Sequence, residues 1–108
     1  MTRTVTVDEI LTEAQFQGLV LDVAETFGWK VFHDGDSRRS NAGFPDLVLA
    51  KDGKIIFAEL KREKGAYPSK AQMKWQSVLG RAAGDNVMVV VWRPSSNWQG
   101  VLSGNAWG

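Results

Sequence analysis

Three features of the 108-residue sequence predict an α/β domain in which helices flank a mixed central β-sheet. Capping signals followed by apolar residues at helical spacing occur twice. Two strand-like runs are joined by Asp52-Gly53, and a short apolar run, Val87 to Trp92, stands alone near the end. The order α-β-β-β-α-β presents both helical stripes and a sheet to be buried, which takes two or three layers. The length suits one domain, residues 1–108.

Residues 1–11 show neither period and are expected to be a loosely packed lead-in. Thr12 offers a helix N-cap, and Gln15 three residues later completes a capping-box pattern. Phe16, Leu19, Val20, Val23, Ala24 and Phe27 then recur at helical spacing until Gly28 supplies a stop, so the first helix spans about 13–27. A short strand follows from Trp29 to His33. Asp34 to Phe44 is polar and glycine-containing and reads as a loop.

Pro45 to Lys51 and Lys54 to Lys61 form the next two strands, because Asp-Gly between such runs signals a two-residue hairpin. Ser69 caps a second helix, Lys70 to Ala83, closed by Gly84. Val87 to Trp92 is apolar at every position, the pattern of a strand buried on both faces. In the tail, Trp98, Val101 and Leu102 are spaced for a short helix, while Trp98 and Trp107 are candidates for a subunit contact. Trp75, Trp92, Phe57 and Phe16 fit core positions by period.

Composition removes several chemistries. There is no cysteine, which excludes disulfides, thiolate metal sites and thiol nucleophiles. The single histidine, His33, excludes zinc sites built from several imidazoles, and it reads as a surface residue. No apolar run approaches the ~20 residues that span a bilayer and the N-terminus is polar, so a cytoplasmic protein is expected. The net charge is only +1, but residues 29–108 hold twelve bases against seven acids. Lys61, Arg62, Lys64, Lys70 and Lys74 fall within 14 residues, broken by Glu63 alone, which suits either a solvated surface or a polyanion partner.

The hairpin places the chemistry. With a two-residue loop at 52–53, facing partners sum to 105, so Asp46 stands opposite Glu59, their Cβ atoms roughly 4.5–5.5 Å apart. Alternation puts Lys61 beside Glu59 on the same face. Facing carboxylates repel, and the answers are a bridging cation of the magnesium or manganese type, a shared proton, or an ordinary surface in which the register slips or Lys61 and Arg62 neutralise the pair. Two more polar side chains converge there. Glu13 lies on the stripe of Phe16 and Val20, and Gln72 on that of Trp75 and Leu79; each also has a local reading, at the helix dipole and in a capping box.

Pro45-Asp46, followed thirteen residues later by Glu59-Leu60-Lys61, resembles the PD-(D/E)xK nuclease motif. More narrowly, GFPDLVL, then FAELK, a Ser-x-x-Gln helix and VMVVV resemble the VRR-NUC family, over about residues 12–94, with 95–108 a tail. That family comprises small phage and bacterial nucleases and the nuclease domain of a eukaryotic crosslink-repair enzyme. The resemblance implies a restriction-endonuclease-like core and Mg²⁺- or Mn²⁺-dependent DNA cleavage. Asp46 and Glu59 would be metal ligands with the Leu60 carbonyl and, as a further candidate, Glu13; Lys61 would be the motif lysine and Gln72 its accompanying glutamine. Arg38, Arg39, Arg62, Lys64, Lys70 and Lys74 would hold the DNA backbone, and a homodimer working on branched or four-way-junction DNA would be expected. The competing class is a nucleic-acid-binding module, or an inactive relative that keeps the scaffold; it leaves the Asp46–Glu59 pair unexplained.

Overall fold

The structure, a computed structural model, describes residues 4–33 and 42–107. Its elements are α1 (Val7–Ile10), α2 (Glu13–Thr26), β1 (Lys30–His33), β2 (Leu47–Lys51), β3 (Lys54–Leu60), α3 (Lys70–Ala82), β4 (Val87–Trp92) and α4 (Trp98–Leu102). The expected order is present, followed by the short tail helix that Trp98, Val101 and Leu102 suggest and preceded by one short helix not expected. The lead-in is therefore not without structure: Thr6 accepts from the Glu9 N–H and caps α1.

The four strands lie in the order β1-β2-β3-β4. β1, β2 and β3 run antiparallel, and β4 pairs parallel with β3, so the sheet is mixed. Parallel pairing needs a crossover, and α3 provides it. Asp52 and Gly53 both adopt positive φ, 50° and 79°, as a two-residue turn of type I′ demands. The turn sets the register: Lys51 faces Lys54 and Leu47 faces Ala58, each pair summing to 105 as the loop length requires.

The core lies on one face of the sheet. Phe16, Val20 and Ala24, spaced four apart on α2, are completely buried against Leu47, Leu49, Ile56, Ala58 and Leu60. The tail completes this layer: Leu102 is fully buried, and the Trp29 indole N–H donates to its carbonyl at 2.8 Å. Trp98 meets the Phe16 ring edge-on at 5.7 Å. Trp98 is thus a core residue and not a subunit contact; it takes this place because α4 folds back over α2. Trp107 packs on the same cluster, with its N–H on the Asp85 carbonyl.

The opposite face is covered more thinly. α3 lies over it without burying any residue completely. The expectation that β4 is buried on both faces fails here: it is an edge strand, and Val87 through Val91 are only half-buried. A run of valines satisfies an edge position as readily, because period alone does not reveal whether a strand has one neighbour or two. Of the stripe on α2, Leu19 and Phe27 are exposed, for the buried arc is narrower than the apolar one.

Candidate metal and nucleic-acid site

The site is built where the hairpin strands end, on the thinly covered face. Asp46 directly precedes β2, and its Oδ2 accepts the Leu60 N–H at 2.8 Å. That bond continues the ladder by one side chain after the backbone pairing stops, and it brings Asp46 to Glu59 as the register predicts. Gly43 and Phe44 hold this approach. Gly43 has φ 84° and lies so close to α3 that a Cβ there would meet the Ala71 carbonyl carbon at 2.3 Å. Phe44 then wedges edge-on between Phe57 and Trp75, with centroids 6.2 and 5.0 Å away. Strand, loop and α3 are locked together beside the acids.

Glu59 is the one buried charged residue among those described, 1% exposed. Its Oε1 accepts from the Gln72 side-chain N–H at 3.0 Å. Its Oε2 is buried and receives no donor from the described residues. An ionised carboxylate oxygen left in that state is costly, and the carboxyl group responds by holding its proton: its pKa is pushed up to about 9. Burial is the largest cause, followed by the hydrogen bond and charge of Asp46; Lys61 opposes them and Glu13 adds to them. Protonated, Glu59 can share its hydrogen with Asp46. Ionised, it needs a cation.

Glu13 completes the group. Oxygens of Glu13, Asp46 and Glu59 all lie within 4.8 Å of one another. They come from three separate elements, the first turn of α2, the approach to β2 and the end of β3. Three hard oxygen donors, one from each carboxylate, fit a divalent cation of the magnesium or manganese type.

The remaining sequence candidates divide. Gln72 serves both of its readings at once: Oε1 accepts the Ser69 N–H at 2.8 Å, closing the capping box, while Nε2 reaches Glu59. Lys61 follows Glu59 by two residues, and its N–H binds the Trp92 carbonyl. At Leu60 the N–H is the group tied into the site, through Asp46. Arg62 is exposed, with Nη2 toward the Gly65 carbonyl at 3.4 Å, and Lys64 pairs with Glu9 at 3.3 Å. Lys70 and Lys74 are exposed on α3. Arg38 and Arg39 lie outside the described residues. His33 is exposed at the end of β1.

Sequence reasoning passed over Arg93. Its guanidinium donates to the carbonyls of Arg62 at 2.5 Å, Ala66 at 2.6 Å and Glu63 at 3.5 Å. A lone arginine after an apolar strand carries no motif, so only the fold exposes this role.

The fold and site together define an α/β domain with a mixed sheet and an acidic cluster at the end of its central hairpin. No family model matches the chain, and no curated protein does. A solved structure described as a "VRR_NUC domain" is similar with a TM-score of 0.65 and 23% identity, covering 87% of this chain and 97% of that one. The chain thus has the fold of a VRR_NUC domain.

Proposed function

We propose that this protein is a divalent-metal-dependent DNA endonuclease. The observation that carries the reading is the meeting of Glu13, Asp46 and Glu59, the last with a buried oxygen that receives no donor from the described residues. Asp46 and Glu59, with Glu13 and the Leu60 carbonyl, would hold Mg²⁺ or Mn²⁺. Such an ion would supply Lewis acidity for hydrolysis of the scissile phosphate.

The protein's own groups do the rest. Glu59 gives up its proton on loading, since a ligand carboxylate must be ionised. Gln72 fixes which Glu59 oxygen is spent inside the protein and which is left for the ion. Lys61 supplies a point charge to the water or to the phosphoryl oxygens, where no planar geometry is needed. Arg62, Lys70 and Lys74 supply sequence-independent contacts to the phosphate backbone, with Lys64 where its pairing to Glu9 yields. Contacts of that kind read shape, which favours branched or four-way-junction substrates, and a twofold homodimer would match their symmetry. With no cysteine and a single histidine in the sequence, a hard-oxygen ligand set is the one this reading draws on.

The test is a panel of linear, flap and four-way-junction DNAs with Mg²⁺ and Mn²⁺. Chelation should abolish cutting. Asp46→Asn should lower the rate at least ~100-fold, beyond the range typical of groups that merely support a ligand, while the melting temperature moves little. A variant that cuts like the wild type would overturn the assignment.

A further inference from the structure

We infer that Arg93 is a positioning residue of this site, acting through the loop at 61–69; the inference rests on the nuclease reading. That loop joins two groups which the chemistry needs in fixed relation, Lys61 at one end and Ser69, the cap that seats Gln72, at the other. It is nine residues long without regular structure of its own, and such segments sample many conformations unless they are tied down.

Residues 93–95 tie it. They leave β4 at the same end of the sheet as Glu59, because Leu60 pairs with Trp92 and the Lys61 N–H binds the Trp92 carbonyl. From there Arg93 grips the loop by its main chain, holding the carbonyls of Arg62, Glu63 and Ala66 and lying 5.7 Å from the centroid of the Tyr67 ring. Ser95 takes the Glu63 carboxylate with its N–H at 2.9 Å and its hydroxyl at 2.7 Å. One guanidinium thus spans five residues of loop. The task requires a planar fork of fixed donors, which lysine does not offer. With its donors directed at carbonyls, Arg93 works inward, unlike the exposed Arg62.

Loosening the loop frees the start of α3 and with it the Ser69–Gln72–Glu59 chain of hydrogen bonds. Arg93→Lys should keep the fold, with Ser95→Ala as the milder companion should the first variant prove unstable. Wild type, Arg93→Lys, Gln72→Met and the double variant are compared for Mn²⁺ affinity by calorimetry and for kcat and KM on DNA. Arg93→Lys is expected to weaken Mn²⁺ binding about 10-fold and to lower kcat about 10-fold with KM little changed, estimates at the lower end of support-residue effects. The double variant should be no worse than Gln72→Met, since both act through one group. Full multiplication of the two losses, or an unaltered Arg93→Lys, overturns the inference. If the wild-type protein binds Mn²⁺ yet cuts nothing, the nuclease reading falls, and the affinity cycle alone still decides for or against Arg93.

Discussion

α2 and α3 open with the same device. In each, a hydroxyl accepts from the amide three residues on, at 3.1 Å, and a glutamine side chain returns to the cap amide, at 2.9 Å for Gln15 and 2.8 Å for Gln72. Beyond the cap they diverge. α2 buries Phe16, Val20 and Ala24 completely, whereas α3 buries nothing completely. Gln15 is exposed and only caps; Gln72 also reaches a buried acid. One side of the sheet therefore supplies the packing that keeps the protein folded. The other carries Asp46 and Glu59, which Glu13 joins from the first turn of α2.

This division is broken most severely from the packed side. Phe16→Ala should cost ~3–5 kcal/mol, the range for deleting a fully buried aromatic, because the cavity opens between rigid neighbours. Trp75, half-buried on α3 beside Phe44, should lose no more than about 2 kcal/mol on truncation, in keeping with its smaller buried area. Urea unfolding of both variants at one pH measures the contrast. Equal losses would mean that the two layers carry similar weight.

Proton linkage gives a second test, on the open side. Glu59 holds its proton up to about pH 9 in the folded, metal-free protein, while an unfolded glutamate releases it near 4.3. Between those values the folded state binds one proton more, so stability falls as pH rises, by up to ~1.4 kcal/mol per pH unit, and levels off above the folded value. Glu59→Gln cannot ionise and should lack this component. Melting curves from pH 5 to 9 with chelator present compare the two proteins; parallel curves would place the titration elsewhere. Added Mn²⁺ should reverse the trend for the wild type alone, because the cation replaces the proton.

How far the residues announce this arrangement differs by element. The hairpin is fully legible: Asp52-Gly53 forces a two-residue turn, the turn forces the register, and the register delivers Asp46 to Glu59. Both capping boxes are legible too, as are the boundaries they set. Legibility ends where a fact depends on what lies across space. Nothing in VMVVV separates an edge strand from a central one, and nothing in the tail says that Trp98 folds onto Phe16. Arg93 is silent for the same reason, since its partners are backbone carbonyls about thirty residues away, and carbonyls have no sequence. Gln72 is the intermediate case: its helical stripe directs it to the acids and its spacing makes it a cap, but only the fold shows one side chain serving both.

That case yields the finest test. Gln15→Met and Gln72→Met remove the same polar atoms from equivalent positions and keep nearly the same shape. Each loses one hydrogen bond to a cap amide, a net ~0.5–1.5 kcal/mol, so the stability losses should be similar, with a small excess for Gln72. The difference should appear in the metal. Gln72→Met also leaves Glu59 Oε1 without its donor and free to rotate, so Mn²⁺ affinity should fall ~10-fold, as when the partner of a ligand is removed. Gln15→Met should bind as the wild type does. Were calorimetry to show equal affinities for the two variants, Gln72 would be a helix cap like its counterpart, and the orientation of Glu59 would have to come from Asp46 and burial alone.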